Sequence, residues 1–231
     1  MNEEKDKIKC NACVETANGF EKLFSDEIEF LSYQKKQLSY QKGENICKQG
    51  AFAPYILYII KGMARIFLES GSNKNINIAI YPQGSFIGLD SIFGENVYQY
   101  SAIALNEVDI CMIDKEGLKK LFYKNSEFAM AMLANNCKNE KHLLSLLKTS
   151  THKQMPGKLA TALLYLNREE FRKQDILSNL TRKEIADFAG ISVESTIKLL
   201  KEFQSENLLK LSSKQIEITD KKRLTEISLR G

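Results

Sequence analysis

Leu180-Thr-Arg-Lys-Glu-Ile-Ala-Asp-Phe-Ala-Gly-Ile-Ser-Val-Glu-Ser-Thr-Ile-Lys-Leu-Leu-Lys-Glu-Phe203 reads as two helices joined by a tight turn. That arrangement sets the second helix in a DNA major groove. Thr181-Arg-Lys-Glu184 has the capping-box form: the Thr181 hydroxyl takes one orphan N–H, and Glu184 reaches back to another. Ile185, Ala186 and Ala189 give the first helix an apolar side. Gly190 falls where the chain must turn, and glycine enters positive φ at little cost. Ser192 can cap the second helix. Thr196, Leu199, Leu200 and Phe203 recur at helical spacing and face a core. Glu194, Ile197, Lys198 and Lys201 then share the opposite face. One acceptor, one apolar surface and two cations suit base edges and phosphates. A solvated helix pair would carry charges in the same way.

The surrounding sequence extends this unit. After Phe203, Leu208-Leu-Lys-Leu211, a Ser212-Ser-Lys214 turn and Ile216-Glu-Ile218 form a hairpin, the wing of a winged helix, with Lys210 and Lys214 available to phosphate. Pro156 suits the first turn of a preceding helix through Leu159, Ala160, Leu163, Leu164 and Leu166. Residues 153–231 carry 15 Lys and Arg against 11 Asp and Glu, whereas residues 1–152 carry 18 of each. The whole formal excess of +4 therefore lies in the two-helix portion, a modest excess that fits phosphate contact.

The remainder changes character twice. Residues 20–39 suggest a helical lead-in with Phe24, Ile28 and Leu31 on one face. From about 40 to 113, short β runs (Tyr55–Ile60, Ala64–Leu68, Ile76–Ile80, Ala102–Leu105) are broken by glycines. Many short strands with regular turns indicate a small antiparallel barrel or jelly roll. A helix over Lys115–Tyr123 precedes a longer one from about Ser126 to Ser150. The long helix has a near-heptad stripe through 129, 132/133, 136, 139/140, 143, 146/147 and 150. No other long helix can cover it, so it reads as the seam of a homodimer. Residues Thr151–Met155 read as a hinge.

The expected α+β architecture is a sensory β-barrel domain over 1–124, a dimerisation helix and hinge over 125–152, and a winged helix-turn-helix over 153–231. No apolar run spans a bilayer, and the charged N-terminus is unlike a signal peptide, so a cytoplasmic protein with no membrane partner is expected. The five cysteines should accordingly be reduced, metal-bound or redox-sensing.

This order of elements resembles the Crp/Fnr family of bacterial transcription regulators. Three signatures carry the resemblance over about residues 20–220. They are Gly43-Glu-x-Ile46…Gly50 with Gly62; Pro82-x-Gly84-x-Phe86-Ile-Gly88 followed by Ser101-Ala102; and Thr181-Arg-x-Glu-Ile-Ala…Gly190-Ile-Ser-x-Glu-Ser-Thr…Leu199-Leu-Lys. The resemblance implies a cyclic-nucleotide-binding-like jelly-roll barrel and a dimer on a palindromic double-stranded site. It also implies RNA polymerase as a further partner. Its DNA-contacting positions fall on Thr181, Arg182, Ser192, Val193, Glu194, Ser195, Ile197, Lys198, Lys201 and Lys214, with Val193, Glu194, Ile197 and Lys198 reading bases. Glu194 keeps the family's carboxylate, which accepts from cytosine N4. Lys198 replaces the usual Arg and lacks its planar fork. Val193 matches the Fnr branch, where the cyclic-AMP receptor branch has Arg.

The effector is approached by the same residue-by-residue comparison. The implied pocket comprises Phe86, Gly88, Leu89, Asp90, Tyr100 and Ser101. The cyclic-AMP receptor branch has a Glu after Phe-x-Gly and an Arg before Ser-Ala; Leu89 and Tyr100 stand there. A buried phosphate without its cation is poorly compensated, so cyclic AMP is disfavoured. The Fnr branch implies an iron–sulfur cluster sensing oxygen or nitric oxide, with Cys10, Cys13 and Cys111 as candidate metal ligands. Its third N-terminal cysteine is missing, and a four-iron cluster usually takes four thiolates. Cys47 lies in the first strand, where a cysteine packs as a small hydrophobe. Haem, an undefined small ligand and a metal-free cysteine pair stay open; His142 and His152 are the only imidazoles. A cupin-like metalloenzyme needs several histidines inside the barrel, and residues 1–141 contain none, so the chain is not expected to be an enzyme.

Overall fold

A computed structural model describes residues 19–70, 74–134, 136–137, 153–172, 176–212 and 215–230. They fall into two compact units, one within residues 1–69 and 79–141, the other within 70–78 and 142–231. Among the described residues, no helix is long and apolar enough to cross a membrane.

The first unit begins with a 3-10 turn, Phe20–Lys22, and helix α1, Ser25–Tyr33. The lead-in expected over 20–39 is thus shorter, because Lys35–Tyr40 is strand β1. Its backbone pairs antiparallel with Val108–Asp114, here β8, from Lys35 opposite Ile113 to Tyr40 opposite Val108. Ladder hydrogen bonds to a partner distant in sequence override the local periodicity. Phe24 precedes α1 and is exposed, whereas Leu31 is buried.

The other strands are β2 (Asn45–Cys47), β3 (Tyr55–Lys61), β4 (Met63–Ser70), β5 (Lys74–Pro82), β6 (Phe86–Ile87) and β7 (Ser101–Ala104). They form two four-stranded sheets, β1-β8-β3-β6 and β2-β7-β4-β5. β3 reads Tyr-Ile-Leu-Tyr-Ile-Ile-Lys without alternation because both its faces are buried. Ile56 and Tyr58 join Cys111, Ile113 and Phe86 under Phe20, Leu31, Leu118, Leu121 and Phe128. Leu57 and Ile59 point to the opposite face. Phe20 stacks on Phe86 at 5.8 Å and tilts onto Tyr58 at 5.5 Å. Each such ring contributes about 1.5–3 kcal/mol by leaving water.

Helix α2, Lys115–Lys124, is capped by Asp114, whose carboxylate accepts from the Gly117 N–H at 2.8 Å. Helix α3 runs over 126–134, and 136–137 are also helical. Asn125 starts it: its Oδ1 accepts from the Phe128 N–H at 2.9 Å, and its Nδ2 donates to buried Glu27 at 2.8 Å. Glu27 also accepts from the Phe24 N–H and lies 3.8 Å from the Lys124 ammonium. One buried carboxylate therefore ties α1 to the start of α3.

Of the stripe expected along α3, Leu133 is exposed, Ala129 and Asn136 are half-buried, and Met132 is buried. Phe128 and Met132 are buried in the barrel unit's core, so Met132 is not a seam residue. Met130 and Cys137, which the expected stripe did not include, are exposed with Leu133 at i, i+3 and i+7. A helix covering Phe20 and Tyr58 with one side has only its other side for a partner. His142, Leu143, Leu146, Leu147, residues 151–152 and His152 lie outside the described residues.

The second unit comprises α4 (Met155–Leu166, with Pro156 in its first turn), α5 (Glu169–Arg172), α6 (Ile176–Asn179), α7 (Arg182–Ala189), α8 (Val193–Ser205), β9 (Leu209–Leu211), β10 (Ile216–Ile218) and α9 (Lys221–Arg230). β9 and β10 pair antiparallel as the expected hairpin. Sequence reading did not anticipate α9. Its anchors are Leu224, fully buried, and Ser228, whose hydroxyl is 2.7 Å from that of Thr161 on α4. The Lys153 ammonium donates to both hydroxyls, at 2.8 and 3.2 Å.

Asn125→Ala removes the α3 cap and one of Glu27's donors together. It is expected to destabilise the barrel unit by about 2–3 kcal/mol. Urea unfolding followed by tyrosine fluorescence checks this; an unchanged midpoint would show that neither bond matters.

Candidate nucleic-acid interface

The two-helix unit is built locally before it is packed. Thr181 adopts the extended backbone of an N-cap. Its Oγ1 accepts from the Glu184 N–H at 3.2 Å, and Glu184 Oε2 accepts from the Thr181 N–H at 2.7 Å. The capping box is therefore formed in both directions. Ile185, Ala186, Phe188 and Ala189 are buried. Gly190 ends α7 at φ 65°, and the Ile191 N–H closes the turn onto the Ala186 carbonyl. Nothing lies within 4 Å of a Cβ built at Gly190, so only the dihedral demands glycine there.

Ser192 then caps α8, its hydroxyl accepting from the Ser195 N–H at 3.1 Å. Thr196 is fully buried, and its hydroxyl donates to the Ser192 carbonyl at 3.0 Å. With Leu199, Leu200 and Phe203 also buried, the rotation of α8 is set. Glu194, Ile197, Lys198 and Lys201 are all exposed, on the face expected for them, while Val193 and Ser195 are half-buried at its margin.

The charges on this face are free to meet a ligand. The Glu194 carboxyl is held below its ordinary value by its own backbone N–H and the Ser192 hydroxyl, so it is ionised at neutral pH. Lys198 lies 3.9 Å from Glu202, one turn along. An exposed pair of that kind contributes about 0.2–1 kcal/mol, too little to hold Lys198 back. Arg182 is half-buried in the first turn of α7, and Lys210 is exposed on the wing. Lys214 lies outside the described residues.

The barrel candidates lie around the turn that follows β6 and the start of β7. Phe86 is buried in the aromatic core, and Leu89 packs against the same core. Asp90 is exposed on the 3-10 turn Leu89–Ile92. The Gly88 N–H donates to the Tyr100 hydroxyl at 3.0 Å. Buried Ser101 donates to Glu69 at 2.6 Å and accepts from the Gln49 N–H at 2.9 Å. Sequence reasoning missed Glu69 and Tyr81 as partners here, since β4 and β5 reach these residues only through sheet pairing, and it missed Tyr98 in the connection before β7.

Of the cysteine candidates, one lies in the described residues. Cys111 is buried among Phe20, Leu23 and Tyr58. Cys47 sits in β2, its thiol pushed up to about 12 by burial. Cys10 and Cys13 lie outside the described residues. Among the described residues, no group of three or more His, Cys, Asp or Glu could hold a metal ion.

Known proteins share both units. Residues 37–125 match the cyclic nucleotide-binding domain family, and residues 157–227 match the Crp-like helix-turn-helix domain family. The fumarate and nitrate reduction regulatory protein of Vibrio cholerae is 24% identical over 207 residues, covering 88% of this chain and 82% of its own. A CRP-like cAMP-activated global transcriptional regulator of Mycobacterium tuberculosis is 23% identical over 210 residues, covering 89% of this chain and 93% of its own. FixK2 of Bradyrhizobium japonicum superposes with a TM-score of 0.73 at 19% identity, covering 84% of this chain and 96% of its own.

Gly190→Ala is expected to destabilise the second unit by about 1–2 kcal/mol, the strain of an alanine held at positive φ. Thermal melting checks it; an unshifted transition would mean that the turn adapts.

Proposed function

Because this chain belongs to the Crp/Fnr family of DNA-binding transcription regulators, we propose that it acts in the cytoplasm as a homodimer reading a palindromic duplex. Val193, Glu194, Ile197 and Lys198 read bases in this proposal. Thr181, Arg182, Ser192, Ser195, Lys201 and Lys214 engage the phosphate backbone, and the bound dimer acts through RNA polymerase. One observation carries the reading. Burial of Thr196, Leu199, Leu200 and Phe203 leaves Glu194, Ile197, Lys198 and Lys201 facing outward together on one helix. That set offers an acceptor for cytosine N4, a donor for guanine O6 or N7, and an apolar surface for a thymine methyl.

The exposed Met130, Leu133 and Cys137 stripe supports the dimer, since it has the a, d, a spacing of a two-stranded seam. The chain has no catalytic role in this reading. Its two nearly equal likenesses, to a fumarate and nitrate regulator and to a cAMP-activated one, leave the effector to be settled by side chains.

Selection from a random duplex pool is expected to enrich an inverted repeat with half-sites about one DNA turn apart. Recovery of no repeat would overturn the reading. Glu194→Ala should relax the consensus at one position per half-site, for about 1–3 kcal/mol; an unaltered consensus would place Glu194 outside the groove.

The seam has its own test. In a parallel pair, each seam residue faces its own copy. A short bis-maleimide should therefore link Cys137 to Cys137 in a Cys10→Ser, Cys13→Ser background. No linked dimer, or one that survives Cys137→Ser, would contradict the seam.

A further inference from the structure

Three tyrosines converge where β6 meets the connection to β7. Gly88 follows β6 at φ 79° and caps the 3-10 turn Leu89–Ile92. Its carbonyl accepts from the Ser91 N–H at 3.0 Å and the Ser91 hydroxyl at 2.8 Å. Its N–H points the other way, onto the Tyr100 hydroxyl at 3.0 Å. The Tyr98 ring lies against Gly88 so closely that a Cβ there would come within 2.7 Å of a ring carbon. Tyr98 is itself held by donation from its hydroxyl to the Tyr55 carbonyl at 2.9 Å. Tyr81 meets Tyr100 edge-on, with centroids 6.4 Å apart and planes at 78°.

Burial raises the Tyr81 hydroxyl to about 12 and Tyr100 well above its ordinary value, so both stay neutral. Tyr81, Asp90 and Cys47 would each oppose a negative charge at Tyr100. Ser101, next in the chain, is already committed to the Glu69 carboxylate. A phosphate entering here would have to displace the Tyr100 hydroxyl from the Gly88 amide and break its edge contact with Tyr81. It would also come to rest near a carboxylate. Each change is unfavourable, and an anion left without a compensating cation is the most costly of them.

We propose that Tyr100 determines what the barrel can take: its hydroxyl occupies the Gly88 amide as a built-in substitute for a phosphate oxygen and shuts the domain to cyclic nucleotides. The chain's own side chain is then the resident ligand of the turn. This proposal does not depend on how α8 reads DNA.

Calorimetric titration of the full chain with cyclic AMP and with cyclic GMP tests it. Wild type is expected to give no binding heat at millimolar nucleotide. Leu89→Glu combined with Tyr100→Arg, supplying an acceptor for a ribose and a cation for the phosphate, is expected to gain at least about 100-fold in affinity for one of the two. Micromolar binding by wild type would overturn the proposal. A double variant with wild-type circular dichroism that still takes neither nucleotide would overturn it too. Tyr100→Phe keeps the ring and deletes only the hydroxyl, so it provides a measurement should the double variant not fold. Hydrogen exchange at the Gly88 amide should accelerate at least about tenfold in it, and an unchanged rate would show that the hydroxyl does not hold that amide.

Discussion

The buried side of α8 is the constraint on which the proposed DNA contacts depend. A helix can present a defined set of side chains only if its rotation about its own axis is fixed. Thr196 does this twice over, being fully buried and donating its hydroxyl to the Ser192 carbonyl. Leu199, Leu200 and Phe203 extend the same buried line for two further turns. What remains outside is decided by geometry: Glu194, Ile197, Lys198 and Lys201. The caps at Thr181 and Ser192 and the positive φ at Gly190 set where each helix starts and stops. The face is therefore formed before any DNA arrives, which lowers the ordering cost of binding.

This part of the chain was legible in sequence because its determinants are local. A capping box spans four residues, an apolar stripe repeats within one helix, and a turn glycine lies between them. The barrel was legible only in outline. β1 was read as helix because Lys35–Tyr40 is specified by its pairing with β8, about seventy residues away in the chain. The α3 stripe was seen, but its division was not. Whether Met132 faces a partner or the barrel depends on Phe20 and Tyr58, distant residues that no heptad count includes. Helix α9 escaped notice because Leu224 is its one large buried residue among charged neighbours.

The barrel shows how family likeness and side-chain chemistry answer different questions. A cyclic nucleotide-binding fold is shared over residues 37–125, yet similarity to a cAMP-activated relative is no stronger than similarity to a fumarate and nitrate regulator. The shared fold supplies the turn after Gly88; individual residues decide what meets it. Here the Tyr100 hydroxyl meets the turn amide, which is satisfied from within. Cys111 packs in the core with Phe20, and burial raises the Cys47 thiol in β2.

The central claim is that the outward face of α8 meets DNA through its charges, and salt dependence tests it most directly. Affinity for a selected duplex, measured by fluorescence anisotropy across a potassium chloride series, should fall linearly on logarithmic axes. Lys201→Ala should reduce that slope by about 1, the loss of one phosphate contact, without changing sequence preference. A slope identical in wild type and Lys201→Ala would contradict the placement of this face against the DNA backbone.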